Sequence, residues 1–534
     1  MEQCMQISEI VALICSVATK GSALSIGLTS RQFLEPALDS VWQTIDSFEP
    51  LIKCLPTDIW ARRMVPSPNP GITNTIVTLR RELRPDDLRR YLTFYAPRIR
   101  SFGLKIFAGM HILSIESLLA LQVATDYQLG ALAPRLKKLA WCADDVLGRD
   151  FSSQLPAFMS LFLSSEISWI KFDSDIGHYP LDAALMRRAF KHLPHLKALT
   201  GTEFGRLPTS IFTSFSWSHL ERLSLHEMSE DDLRHAMTLP SLRKLAAINS
   251  RTIPVSDRSK ALARRISTAF PSLREVVFVT FHDDITSLIG IMQNLPASSL
   301  IECLISSGAS ASHPPVSECK ALFQAIRDKC SPLAMKKLRL IDGLPCGRDA
   351  LRHGGTSDSN DNNPRTTQHE AVDISLLYSL KRLENVKLGF PGGVLPNPDV
   401  LSRIAVHWPN LRELDILSTC FHANPLTPPC VDHNHVTALL QALPSLRTLC
   451  LQFDSTGLVG DEPVPKSASK LQVFIVGDSP ITSPSKVARF ITTQCPLLQK
   501  LDILQYKTTP LLTPFGERWQ VVSALWGKEK ASRD

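Results

Sequence analysis

A short phrase recurs along most of this chain: an apolar helical run, a proline, then the spacing Pro-x-Leu-x-x-Leu-x-Leu. It is clearest in WPNLRELDI (Trp408 to Ile416), LPSLRTLCL (Leu443 to Leu451) and CPLLQKLDI (Cys495 to Ile503). The first apolar position of the phrase falls on Leu136, Leu196, Leu220, Leu242, Leu273, Leu383, Leu411, Leu446, Leu471 and Leu498, with looser matches at Ile99, Ile167, Leu300 and Met335. The regular intervals, Leu196 to Leu220, Leu220 to Leu242, Leu446 to Leu471 and Leu471 to Leu498, are 24, 22, 25 and 27 residues; others reach 48. Self-similarity at this period means an array of stacked supersecondary units, and such arrays build long binding surfaces more often than active sites.

One unit shows how the grammar works. In VTALLQALPSLRTLCL, Val436, Leu439, Leu440 and Leu443 fall at helical spacing, while Leu449 and Leu451 alternate as a strand buried on one side. Pro444 separates the two because it lacks an amide hydrogen and pushes the preceding residue out of the helical region. A helix between strands at this period forces a parallel crossover, so the expected fold is an α/β leucine-rich-repeat solenoid, with parallel strands on one side and helices on the other. The strands should centre on Leu139, Leu223, Leu245, Val276, Leu338, Leu414, Leu449 and Leu501 and lie side by side.

Composition bounds the class. The chain has 534 residues, of which 44% are hydrophobic and 20% charged, as in ordinary globular proteins. Its twelve cysteines have no Cys-x-x-Cys or paired spacing and read as packing residues in a reducing compartment. The opening MEQCMQISE carries Glu2 and Glu9 and no base, unlike a signal peptide, and no apolar run approaches the roughly 20 residues that span a bilayer. A cytoplasmic or nuclear location is expected.

Residues 5–45 differ from the repeats. Ile7, Ile10, Ile14 and Val17 share a helical face, and two further apolar stretches, Ala23 to Leu28 and Gln32 to Trp42, follow closely. The segment resembles an F-box, and the whole chain resembles the fungal F-box proteins with irregular leucine-rich-repeat carboxyl regions. The residues carrying the match are Ile7-x-Glu9-Ile10, Leu24 and Leu28, and Arg31-Gln32-Phe33-Leu34-Glu35-Pro36-Ala37-Leu38-Asp39 with Val41-Trp42. The resemblance implies that residues 1–45 dock a Skp-family linker and so join a cullin ubiquitin ligase, while the repeats bind a protein substrate. On it, Ile7, Ile10, Ile14, Leu24, Leu28 and Trp42 would form the docking face. Where the family has a proline this chain has Ser8, which is expected to cap the first helix. Gly27, inside the second helix, should cost about 1 kcal/mol relative to alanine. The alternative is a scaffold whose helical cap docks no linker.

The remaining organisation follows from local composition. Residues 46–96 are expected as a helical linker or cap, and residues 97–534 as the irregular solenoid. Residues 343–373, rich in Gly, Ser, Asp, Asn and Thr, read as a disordered insertion. Residues 1–60 carry seven acids and three bases, residues 61–105 ten bases and three acids. This basic run includes Arg80, Arg81, Arg84, Arg89, Arg90, Arg98 and Arg100, and RRELRPDDLRRYL reads as an amphipathic helix pair. No nucleic-acid-reading motif accompanies it, so nucleic acid is not the expected partner.

No cofactor and no catalytic chemistry are expected. Phosphate loops, nucleophile elbows and His-Glu-x-x-His are missing from the sequence. The acid pairs Asp144/Asp145, Asp231/Asp232 and Asp283/Asp284 are adjacent residues, which point apart; they and His192, His195 and His226 read as structural. Cys420, His422, Cys430, His433 and His435 have zinc's preferred ligand chemistry in no familiar spacing, and read as loop residues. For the partner surface, the strand positions between buried leucines place Lys337, Arg339, Lys387, Glu413, Asp415, Gln452, Lys500 and Asp502 on a mixed-charge inner face suited to substrate.

Overall fold

The computed structural model describes residues 7–66, 73–105, 111–142, 154–172, 180–201, 209–226, 228–248, 270–280, 286–295, 300–307, 316–342, 372–389, 394, 396–417, 429–464, 468–477, 479–502 and 514–531. It divides into two compact units, one comprising Met1–Ile248 with Phe270–Ser272, the other Leu273–Asp534 with Asn249–Ala269.

The first unit opens with three helices, Ser8–Val17, Lys20–Thr29 and Arg31–Gln43. Strands follow: β1 (Thr44–Ile45), β2 (Trp60–Pro66), β3 (Thr73–Leu79), β4 (Ser101–Lys105), β5 (His111–Leu113), β6 (Lys138–Cys142), β7 (Trp169–Phe172), β8 (Ala198–Gly201), β9 (Arg222–Leu225) and β10 (Lys244–Ile248). β1, β4 and β6 to β10 pair in parallel, and the register aligns Ile45, Phe102, Leu139, Ile170, Leu199, Leu223 and Leu245 in one row. The second unit contains β11 (Glu275–Thr280), β12 (Glu302–Ser307), β13 (Lys337–Asp342), β14 (Asn385–Gly389), β15 (Glu413–Asp415), β16 (Thr448–Cys450), β17 (Val473–Ile475) and β18 (Lys500–Asp502). These too pair in parallel, aligning Val276, Cys303, Leu338, Val386, Leu414, Leu449, Phe474 and Leu501. The fold is an α/β leucine-rich-repeat solenoid, and all eight expected strand centres sit in parallel strands.

The phrase has a physical job. All ten clear anchors are buried, none more than 2% exposed. At Leu136, Leu220, Leu411, Leu446 and Leu498 the anchor amide donates to the carbonyl three residues back, at 3.0–3.1 Å, so the same turn follows each helix. In four of these turns, all but that of Leu220, a proline two residues before the anchor pre-sets the backbone, and the leucine plugs the core, contributing about 1.5–3 kcal/mol by burial. The last helix, Pro514–Ala531, covers the end of the second unit: Trp519 is fully buried with Nε1 donating to the Ser479 carbonyl at 2.8 Å, and Arg518 reaches the Ile481 carbonyl at 2.7 Å. Terminal repeats need such a cover over their apolar edge.

Two local expectations are corrected. Residues 46–96 are not wholly helical, because β2 and β3 form an antiparallel pair and β3 runs parallel to β5. The run TNTIVTL is β-branched at five of its seven positions, with Asn74 and Val77 buried, a strand composition beside a conspicuous arginine run. RRELRPDDLRRYL is likewise not a helix pair. Pro85 holds Arg84 extended, the helix covers only Pro85–Arg90, and a wider turn over Tyr91–Tyr95 follows. Residues 343–371 of the expected insertion lie outside the described residues.

Asp87 secures this turn. Its carboxylate accepts from the Arg84 amide at 2.9 Å and pairs with Arg81 at 2.8 Å, and Arg81 also pairs with Asp58. Hydrogen bonding from Arg81 holds the Asp87 carboxyl down at about 2. Because the folded value lies below the unfolded value of about 3.9, the stabilisation is complete above that value and is lost as pH falls through about 2. In urea melts, Asp87→Asn should lower the midpoint near neutral pH, by an amount that shrinks as the pH falls toward ~2. An equal difference at both would contradict the assignment.

Candidate protein-interaction surfaces

The amino-terminal module packs through few residues. Val11, Cys15, Ala23 and Ala37 form its core, with Ala18, Ile26, Phe33 and Val41 against them. The second and third helices approach so closely that a Cβ on Gly27 would lie 2.7 Å from the Ala37 Cβ. The glycine is therefore a close-packing residue, and its cost in helix propensity is offset by that approach. Gly27→Ala should force the helices apart and speed hydrogen exchange across residues 8–43, whereas unchanged exchange would mean that Ala37 yields freely. Ser8 does not cap the first helix: Ile7 occupies the cap position without a side-chain bond, and the Ser8 hydroxyl donates to Glu9 instead.

The apolar side chains that the core leaves out face solvent. Ile7, Ile14, Leu24 and Leu28 are 46%, 37%, 48% and 76% exposed, and Leu13 and Val17 of the first helix are 65% and 80% exposed. Ile10 is half-buried between the two sets. Trp42 behaves differently. Its ring stacks on Tyr95 with centroids 4.4 Å apart and meets Tyr91 edge-on at 6.4 Å, so it anchors the third helix to the following segment. The Arg98 guanidinium spans Glu35 and Asp39 of that helix, and Lys20 donates to the Thr44 carbonyl at 2.6 Å. Much of the basic run is thus consumed internally: Arg81 pairs with Asp58 and Asp87, Arg98 with the third helix, and Arg100 donates to the Pro97 carbonyl.

In the second unit the register brings the sheet-face charges together. Lys337 reaches Glu302 at 3.2 Å, Arg339 reaches Glu413 at 3.6 Å, and Lys387 reaches Asp415 at 2.7 Å. Asn385 donates to Glu413 at 2.7 Å, and Lys500 pairs with Asp502 of its own strand at 2.7 Å. Gln452 is half-buried just beyond β16. The mixed-charge face therefore exists, as a set of paired groups. One of its members is placed otherwise than expected. Asp415 is only 6% exposed, its carboxylate accepts from the Leu417 amide at 3.3 Å, and Lys387 closes over it. Burial alone would lower the Lys387 pKa, yet the Asp415 charge keeps it raised. Asp415 holds the sheet together and does not present a charge to a partner.

The histidines, cysteines and acid pairs have structural surroundings where they are described. Asp432 caps the helix His433–Ala442 by accepting from the Asn434 and His435 amides, and the His435 ring lies 2.6 Å from its carboxylate. Cys420 and His422 lie outside the described residues, and among the described residues no group of three or more His, Cys, Asp or Glu is arranged to hold a metal ion. Asp232 forms a capping box with Ser229, Asp231 pairs with Arg234 at 2.6 Å, His226 is buried, and the His195 ring sits 6.4 Å from His219. Asp144, Asp145, Asp283 and Asp284 lie outside the described residues. Burial drives the thiols of Cys330 and Cys495 up to about 12, far from the reactive range. Among the described residues no helix is long and apolar enough to cross a membrane.

Comparison with known proteins adds one structure. No protein-family model matches the chain. No curated protein matches it. Among solved structures, it is similar to the crystal structure of an internalin (inlF) from Listeria monocytogenes, with 11% sequence identity over 82% of this chain and 88% of that one, at a TM-score of 0.33. The assignment of the solenoid rests on the strand register and the buried anchors. A leucine-rich-repeat solenoid of this kind is a protein-interaction fold.

Proposed function

We propose that this chain is the substrate-recognition adaptor of a Skp/cullin/F-box ubiquitin ligase, its first three helices docking a Skp-family linker and its repeats holding a protein substrate in the cytoplasm or nucleus. The observation that supports this most is the exposure of Ile7, Leu13, Ile14, Val17, Leu24 and Leu28 on a module whose own core is small. A helix that served only to cover the solenoid would turn its largest apolar side chains inward; contiguous exposed apolar surface marks a binding site. The chain contributes no covalent step in this reading. It raises the concentration of substrate beside a ligase held elsewhere.

Affinity purification of the full chain and of a chain lacking residues 1–45 tests the proposal. Linker and cullin should be recovered with the full chain and lost with the deletion, while substrates are kept by both. Recovery of the same partners by both chains would make the protein a scaffold whose helical cap docks no linker.

A further inference from the structure

The small sheet of the first unit ends on an open strand. Its order is β2-β3-β5, so β2 is an edge, with β3 as its one strand neighbour among the described residues. The Arg80 amide donates to the Ile59 carbonyl at 2.7 Å, and antiparallel bonding recurs at every second residue, so Ala61, Arg63 and Val65 bond toward β3. The main-chain groups of Arg62 and Met64 therefore point off the sheet. Pro66 falls on the same outward set, where its missing N–H costs the ladder nothing. Arg62, Arg63 and Met64 are exposed, Met64 to 71%. The charge has one sign in the sequence itself: between Asp58 and Glu82 stand four arginines and no acid, so residues 67–72 bring none. Arg81 is engaged by Asp58 and Asp87. The Glu49 carboxyl is held down first by Lys53, at 2.9 Å, and also by the charge of Arg62. Among the described residues no acid pairs with Arg63.

An open strand edge is a template for another strand, and backbone pairing fixes the shape of what binds there as an extended chain. We propose that the β2 edge is a docking site at which an extended acidic segment of a partner protein adds as a fourth strand, an inference independent of linker docking. Charge selects this occupant. Two copies of the chain meeting edge to edge would set arginine near arginine, and like charges across a ladder are destabilising. An acidic segment turns the same arginines into attraction. Side chains alternate between the faces, so Arg62 and Met64 stand on one side with Val77 and Arg63 on the other. A segment alternating apolar and acidic residues can therefore lay its apolar side chains beside Met64 and its carboxylates beside Arg63. Nucleic acid answers the charge but has no amide to continue the ladder.

Fluorescence polarisation with a labelled Val-Glu-Val-Glu-Val-Glu-Val peptide, the length of β2, tests the proposal on the full chain at low salt. The same peptide with proline in place of its two inner valines keeps every charge but loses ladder amides, and should bind roughly tenfold more weakly or worse. Arg63→Glu should weaken binding of the first peptide by roughly threefold to fivefold. Met64→Pro removes an outward N–H while sparing the bonds to β3, and should weaken it roughly tenfold or more. Arg63 is in solvent and the proline peptide needs no variant, so the test stands even if Met64→Pro folds poorly. Absence of peptide binding, equal binding of the proline peptide, or equal binding by Arg63→Glu would overturn the proposal. Concentration-dependent dimerisation of the chain that Met64→Pro abolishes would assign the edge to a second copy instead. Linker binding on the same preparations separates the two proposals: peptide binding that persists when no linker binds supports this one alone.

Discussion

Asp415→Lys is expected to destabilise the carboxyl-terminal repeats, and Glu413→Lys to leave their stability nearly unchanged. The two acids are two residues apart on β15 and face the same way, but their surroundings differ. Asp415 is 6% exposed, pairs with Lys387 at 2.7 Å and accepts the Leu417 amide. Reversing its charge leaves one cation against another in a desolvated site and orphans a backbone donor. Breaking one partner of a buried ion pair costs about 3–5 kcal/mol, and the partial exposure of Lys387, 35%, favours the lower end. The Glu413 side chain is 28% exposed and contacts Arg339 and Asn385 at the surface, where lost pairs cost about 1 kcal/mol or less. Thermal unfolding followed by circular dichroism separates the two: a drop of several degrees for Asp415→Lys and little change for Glu413→Lys. Equal, small shifts would show that Asp415 is solvated.

That contrast shows where reading the sequence stops. The repeat spacing identified Asp415 as facing away from the buried leucines, which it does; it could not show that Lys387, one strand away, would close over it. The strand row from Val276 to Leu501 is legible because four of its anchors, Leu273, Leu411, Leu446 and Leu498, carry a proline two residues before them, and period and burial are one signal. The β2–β3 pair is masked in the sequence, since the β-branched TNTIVTL lies between an arginine run and helical segments. Leu13 was missed although it stands three residues from Ile10, a spacing visible in the sequence; Trp42 was assigned to docking because nothing local announces Tyr95 as its stacking partner.

The second large effect concerns the amino-terminal helices. Ile14 is 37% exposed and Ile10 half-buried, while the module's core is built on Val11, Cys15, Ala23 and Ala37. Aspartate at both isoleucines should therefore leave the three helices in place. In a docked complex, however, both carboxylates would be desolvated without partners, a cost of several kcal/mol that removes measurable binding. The repeats, built from separate anchors, should melt as in the parent chain.

Titration of a purified Skp-family linker into the full chain and into the Ile10→Asp, Ile14→Asp variant, followed by calorimetry, tests the adaptor reading most directly. Saturable binding to the full chain, with a negative heat-capacity change from apolar burial and no detectable heat with the variant, is the predicted result. An absence of binding by the full chain, or equal binding by the variant, would contradict it.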